Sequence, residues 1–362
     1  MSTDPFVGYE LHICTEDDLD RQPIQIERSA RGERSNCSRY VGELSGGSVA
    51  EYDGPMSCCT PRSEGTPELA ATSVEGRGTH RVSQASIPAG TFTMGDSTGD
   101  GFAADGESPL HDVAVSAFDI DAVTVSNNDF AEFVTTTDYT TVAERQGSSA
   151  VFHSLVAEGS DVVGRSPTAP WWLAVAGADW AHPFGPTSDL EGLDDHPVVH
   201  ISWHDAQAYC EWSGRRLPTE AQWEYAARGG IAGARYPWGD ELLAADGTWQ
   251  CNIWQGEFPS NNTGDDGFVG TAPVTAFEPN GFGLWQTAGN VWEWCEDRFD
   301  PRYYRSGDVV DPVGPQRGRA RVLRGGSYLC HDSYCNRYRN SARSHNTPES
   351  SMGNAGFRTV AG

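Results

Sequence analysis

His196-Pro197-Val198-Val199-His200-Ile201-Ser202-Trp203, with Arg216-Leu217-Pro218-Thr219-Glu220-Ala221-Gln222-Trp223 shortly after it, is the stretch whose reading decides the fold. The first run predicts a strand. An amphipathic helix over 205–213 follows, which Gly214 can end because glycine enters the left-handed region without strain. Thr219 and Gln222 have capping-box spacing, so a second helix is predicted through Ala227, closing at Gly229-Gly230. Beyond it Gly, Pro, Asn and Trp dominate. Many turns with few long elements imply an irregular α+β domain held by aromatic packing, not a doubly wound nucleotide-binding sheet.

Working towards the N-terminus, Val82-Ser83-Gln84-Ala85-Ser86-Ile87 and Thr91-Phe92-Thr93-Met94 read as two short strands around a turn at Gly90. Strand-like runs over 113–125 lead to Ser126, an N-cap for a short helix carrying Phe130, Phe133 and Val134. Residues 140–195 predict mostly loops. The acidic stretch 95–107 lacks EF-hand spacing and is expected to be a solvated loop. Residues 1–80, rich in Glu, Asp, Arg, Ser and Gly without apolar periodicity, predict a flexible leader. Cys58-Cys59 sits in it without an assigned function, and Met56 offers an alternative start of translation. The domain proper is expected over 81–362.

The chain has 362 residues and a formal charge of -26, from 51 carboxylates against 25 cations. That balance argues against nucleic acid as a partner, because phosphate binding needs a basic face. All 25 cations are arginine. We read the lysine-free acidic surface as a high-salt (halophilic) signature, with GC-rich codon usage as the competing explanation. No run of about 18 apolar residues suggests a membrane span, and the N-terminus lacks the pattern of a secretory signal. A cytoplasmic location is expected, and the odd count of nine cysteines does not form a secreted disulfide framework.

Chemistry is carried by Ser327-Tyr328-Leu329-Cys330-His331-Asp332-Ser333-Tyr334-Cys335-Asn336-Arg337, directly after Arg324-Gly325-Gly326. Two cysteines five apart in so polar a setting point to reactive or metal-binding sulfur. Thiolates are soft donors to a metal ion. A disulfide, or half of a zinc site completed by His331 and His345, are the other readings.

His196-Pro-Val-Val-His-Ile-Ser-Trp-His-Asp-Ala206, residues 216–230, Gly289-Asn-Val-Trp-Glu-Trp294 and Arg324-Gly-Gly-Ser327 resemble the sulfatase-modifying-factor family, whose irregular fold is distantly C-type-lectin-like. Asn252-Ile-Trp-Gln-Gly-Glu-Phe-Pro259 and the cysteine stretch with Ala342-Arg-Ser344 and Asn346-Thr-Pro348 resemble its formylglycine-generating members. The resemblance spans residues 87–357. It implies an oxidoreductase that activates sulfatases by oxidising a cysteine, within a Cys-X-Pro-X-Arg segment of the unfolded or nascent polypeptide, to Cα-formylglycine. Molecular oxygen, a thiol reductant and copper would take part. A non-catalytic peptide- or glycan-binding member of the same fold is the alternative. A monomer is expected.

By the same resemblance Cys330 and Cys335 are copper ligands and Ser327 lies in an oxygen pocket. Trp292, His331, Arg337 and Asn354 line the site, and Ser149 lies in the substrate cleft. An acidic residue that would hold the substrate arginine in vertebrate members is matched by Ser148, so carbonyls near Ala143 or the general acidic field are expected to take over. Asn252 and Asp266, with the carbonyls of Ile253 and Phe268, match a calcium site, and oxygen donors on a Gly-rich loop suit that hard cation. Gln286, Gly289, Val291 and Glu293 match a possible second one. Two vertebrate disulfides are absent: Cys210 is matched to Thr359, and Ala227 and Asn340 replace the other pair.

Overall fold

The computed structural model describes Pro61 and residues 78–362. The leader reading, with Cys58, Cys59 and Met56, otherwise lies outside the described residues. Described residues before 81 are already packed: Pro61 is buried with its carbonyl on Asn346 Nδ2 (2.8 Å), Gly78 N–H donates to the Trp212 carbonyl (2.9 Å) and His80 Nε2 lies 2.6 Å from Asp121 Oδ1.

Strands β1 (Gln84–Ile87), β2 (Gly90–Met94), β3 (His111–Val115) and β4 (Phe118–Asp121) form two antiparallel pairs, β1 with β4 and β2 with β3. Alternation puts Ala85 and Ile87 inward, as the sequence pattern requires. Helix α1 (Asn127–Thr137) starts at a Ser126–Asp129 capping box and buries Phe130 and Phe133.

The region read as loops, 140–195, instead holds α2 (Val142–Gln146), capped by Thr141 and Glu144, and strands β5 (Ser148–Phe152), β6 (Val162–Arg165) and β7 (Trp172–Ala176). These strands form an antiparallel sheet in the order β5-β7-β6. Each is five residues or fewer, too short for periodicity to distinguish from loop.

The run 196–203 is not a strand. Val198 and Ile201 are fully buried in an irregular segment whose N–H groups at Val198 and His200 reach the Val125 and Met352 carbonyls. Its apolar alternation reflects burial on two sides, and His200 at φ 59° breaks any extended run. Helix α3 (Trp203–Ser213) follows, capped by Ser202 and Asp205 and ended at Gly214. After β8 (Arg215–Arg216), α4 (Glu220–Ala227) opens with the expected Thr219–Gln222 box.

The C-terminal third carries β9 (Gly256–Glu257), β10 (Asn261–Asn262), β11 (Trp292–Arg298), β12 (Arg321–Arg324), β13 (Arg343–Asn346), β14 (Ala355–Gly356) and β15 (Val360–Ala361). The central sheet runs β13-β12-β11-β14, while β15 joins β1, β4 and β8. Trp172, Trp223, Trp292, Trp294, Phe130 and Phe133 are among its largest buried side chains. Among the described residues no helix is long and apolar enough to cross a membrane.

Carboxylate–guanidinium pairs run through this interior. Glu220 of α4 meets Arg343 (2.6 and 2.8 Å) and Arg324 (3.0 Å), and Glu224 meets Arg324 (2.5 Å) and Arg228 (2.7 Å). The acidic stretch is not simply solvated. Glu107 is 2% exposed and forks onto Arg339 (2.8 and 2.9 Å), while Asp105 holds Arg337 (2.6 and 3.0 Å). Acidic residues read as surface are here counterions for arginines more than 200 positions away.

Asp297 of β11 receives the Glu220 N–H at 2.8 Å, and burial, aided by the Glu220 charge, pushes its carboxyl up to about 8. Unfolded, such a group ionises near pH ~4. The folded state therefore holds an extra proton between these values, so this contribution to stability is full at low pH and is lost as pH rises through 8. Asp297→Asn is expected to flatten the fall of urea midpoints between about pH 4 and 9; a wild-type slope in the variant would assign the fall to other groups.

Candidate active site

Gly325 and Gly326 leave β12 at φ 94° and 76°, and a Cβ on Gly326 would lie 2.5 Å from the Arg337 carbonyl oxygen. The glycine is required because the loop doubles back on its own root. Within the loop Cys330 N–H donates to the Ser327 carbonyl and Cys335 N–H to that of His331, both at 2.9 Å. These consecutive turns place two buried sulfurs in one loop, with Cys330 Sγ accepting from Ser327 N–H at 3.4 Å.

Asn354 Nδ2 donates to Ser327 Oγ (2.9 Å), and the Asn354 carbonyl accepts from Trp292 N–H (2.8 Å). Ser327, Trp292 and Asn354 are thus brought together beside Cys330. All are buried, and Trp292 Nε1 has no hydrogen-bond partner among the described residues. A buried indole N–H normally finds one.

No disulfide joins Cys330 to Cys335, nor any two of the described cysteines Cys210, Cys251, Cys295, Cys330 and Cys335. The zinc reading fares no better. His331 turns to Ser333 Oγ (2.7 Å) and Asp332, whereas His345 lies flat on Phe299 with ring centroids 4.0 Å apart. Among the described residues no three His, Cys, Asp or Glu side chains converge as a metal set. Arg337 is gripped by Asp105 and lies over Phe102. Its fork therefore holds the loop.

Ser149 of β5 is hydrogen-bonded to Ser351 Oγ and His200 Nδ1, each at 2.7 Å. Burial lowers His200 to about 4, so the imidazole is neutral and holds Ser149 in place. Ala143 is fully buried in α2 and its carbonyl accepts the Gly147 N–H that ends the helix. It is no open acceptor for a substrate arginine.

Sequence reasoning passed over an aromatic strip beside the cysteines. Tyr334 stacks on Phe258 (4.2 Å between centroids) and meets Trp171 edge-on (5.1 Å). Phe258 was quoted only as part of a motif; its partly exposed neighbours carry no spacing that separates them from core aromatics.

In the set matched to calcium, Gln255 Nε2 donates to Asp266 Oδ2 (2.8 Å) and to the Ile253 carbonyl. Asp266 accepts the Ile253 and Phe268 N–H groups (3.0 and 2.9 Å) and burial raises its carboxyl above the ordinary range. Asn252 Oδ1 is buried without a partner while its Nδ2 is anchored on the Gly270 carbonyl. A half-buried carboxylate beside an orphaned amide oxygen suits a hard cation. In the second set Gln286 Oε1 is likewise buried and unpartnered, and Gly289 and Val291 belong to the same tight turn region. Glu293, however, has both oxygens on Arg358 (2.6 and 2.7 Å) and one on Trp223 Nε1.

Residues 71–362 match the family described as sulfatase-modifying factor enzyme 1-like domain. A formylglycine-generating enzyme of Streptomyces coelicolor is 61% identical over 276 residues, 76% of this chain and 88% of that one. One of Thermomonospora curvata is 55% identical over 279 residues, 76% and 92% of the two chains. In fold, the chain is similar to PvdO from Pseudomonas aeruginosa, with a TM-score of 0.57 and 23% identity over 81% of this chain and 99% of that one.

Gly326→Ala should drive a Cβ into the Arg337 carbonyl at a positive φ and lower stability by roughly 1–3 kcal/mol. Urea denaturation measures this; wild-type stability would show that the loop can move off its root.

Proposed function

The chain belongs to the sulfatase-modifying factor enzyme 1-like family, and on that footing we propose that it oxidises the cysteine of a Cys-X-Pro-X-Arg segment in an unfolded sulfatase to Cα-formylglycine. The reaction balances as R–CH2SH + O2 + 2 R′SH giving R–CHO + H2S + H2O + R′SSR′. The observation that supports it most is the loop that buries Cys330 and Cys335 beside the Ser327–Asn354 hydrogen bond. Cys330 and Cys335, as two soft thiolate donors, would hold Cu(I), which would supply electron transfer between thiol and oxygen.

The protein's own groups have separate tasks. Asn354 orients the Ser327 hydroxyl, and the buried Trp292 indole Nε1–H is left to face a small polar guest. The surrounding apolar wall excludes water, which strengthens both interactions. Asp105 and Glu107 fix the return of the loop through Arg337 and Arg339, so the cysteines arrive preorganised. The strip Trp171, Phe258 and Tyr334 would cover the apolar part of an extended peptide, and the acidic surface would favour its arginine.

Aerobic incubation of a Cys-X-Pro-X-Arg peptide with copper-loaded protein and thiol, at low and at multimolar salt, should yield the aldehyde by mass spectrometry. Cys330→Ser and Cys335→Ser should abolish conversion, and Asn354→Ala should reduce kcat/KM roughly 10- to 100-fold, the range for losing a supporting hydrogen bond around a metal. No conversion by folded, copper-loaded protein would leave a peptide- or glycan-binding role.

We also propose calcium at Asn252, Asp266 and the Ile253 and Phe268 carbonyls, with the second set secondary because Glu293 already balances Arg358. Calcium at about a hundred times its Kd should stabilise by about 2.7 kcal/mol. Chelation should lower Tm and Asp266→Asn should remove that response; a Tm indifferent to calcium in the native protein would refute the site.

A further inference from the structure

We propose that the cavity bounded by Trp238, Trp249 and Phe277 is a binding site for a planar guanidinium cation on an alkyl stem. It measures about 420 Å³, and neither the cysteine site nor Ser149 of the cleft contributes to its lining. That volume lies within the range of small-molecule pockets, which combine apolar walls with a few placed polar groups.

One wall is a tight hairpin. Leu243 pairs with Trp249 across it, Ala244 N–H donates to the Thr248 carbonyl (2.9 Å) and Thr248 N–H donates to Asp246 Oδ1 (3.0 Å). Hydrogen bonds from the Thr248 hydroxyl and N–H hold the Asp246 carboxyl below its usual range, so it stays ionised. Trp238, just ahead of the hairpin, is fixed by its Nε1–H on the Glu241 carbonyl (2.8 Å) and by stacking on Tyr236 (5.4 Å between centroids). Phe277 and Glu278, and later Gln286 and Thr287, complete the lining. Phe277 and Gln286 stand at φ 66° and 51°, a region that bulky side chains seldom occupy.

The polar groups of the lining define the guest. Thr287 is 3% exposed, yet its Oγ1 has no hydrogen-bond partner among the described residues, and Gln286 Oε1 is orphaned in the same way. A buried oxygen left so costs free energy, which a donor on a ligand removes. Asp246 and Glu278 line the same space, and neither enters an ion pair among the described residues. No arginine or histidine is among the lining residues. The cavity therefore offers acceptors, negative charge and flat aromatic surface. Guanidinium answers all of these, because its rigid fork of N–H donors is charged and its plane stacks on indole. A tetraalkylammonium lacks the plane and the donors, and a sugar lacks the charge. Gln286 is matched also to the second calcium set, but both oxygens of Glu293 in that set are taken by Arg358. Thr287, Asp246 and the two tryptophans lie outside it.

Calorimetric titration of the full-length protein tests the site with agmatine as a free cation and N-acetylarginine N-methylamide as the same group within a peptide. Methylurea is the planar neutral control and tetramethylammonium the control without donors. A guanidinium should bind saturably with a Kd on the order of 0.1–1 mM, at least about tenfold tighter than either control, and the tighter of the two guanidinium probes identifies the source. Trp249→Ala and Glu278→Gln should each weaken binding roughly 3- to 30-fold, and Thr287→Val, which keeps the shape and removes the orphaned oxygen, about fivefold. Glu191→Gln, at an exposed carboxylate outside the cavity, should leave the Kd unchanged. Absence of saturable binding, equal binding of either control, or a Kd that Glu278→Gln and Thr287→Val leave unaltered would each overturn the proposal. So would an equal loss in Glu191→Gln, which would assign the binding to the general acidic surface. Binding needs no turnover, so the result is independent of the activity proposed above.

Discussion

Every element around the cysteine loop depends on buried guanidinium–carboxylate contact. Arg324 ends β12 one residue before the Gly325-Gly326 turn, and Arg343 begins β13 opposite it; both converge on Glu220. Arg337 and Arg339 clamp the return of the loop to Asp105 and Glu107. Removing one partner of a buried pair costs about 3–5 kcal/mol, mostly because the other charge is stranded. The pairs are better understood as selecting one arrangement of the loop than as adding net stability. Arginine suits the task, since its fork fits two oxygens and keeps its proton at any ordinary pH.

Backbone hydrogen bonds tie the loop that carries Asn252 to the same unit. Asn290 N–H donates to the Asn252 carbonyl, and the Asn290 carbonyl accepts from Tyr328 N–H. Trp254 N–H donates to the Cys330 carbonyl at 3.0 Å. A change in the loop carrying Asn252 and Asp266 is therefore felt two hydrogen bonds away at the cysteine. The segments that carry Asn252 and Cys330 are thus joined by backbone hydrogen bonds.

The parts of the fold legible in the sequence were those governed by local rules. The N-cap at Ser126, the capping box at Thr219 and the glycine stop at Gly214 act within a few residues, and the structure follows them. Short strands β5 to β7 escaped because their pairing is non-local and each side chain pattern is brief. Segment 196–203 misled for the opposite reason, being apolar enough for a strand yet buried as irregular chain. At the site, Cys330 and Cys335 stand out by spacing and setting, whereas Ser327 is named only through the family resemblance. Asp105 and Glu107 do not stand out, because nothing local distinguishes a carboxylate facing solvent from one answering an arginine over 200 residues away.

The exclusive use of arginine has a chemical side as well. An aldehyde, the product proposed for this loop, condenses readily with an unprotonated primary amine to give an imine, which is how lysine captures carbonyl compounds. Guanidinium remains protonated and does not offer such a nucleophile. With 25 arginines and no lysine in the chain, no side chain of this protein can form that adduct.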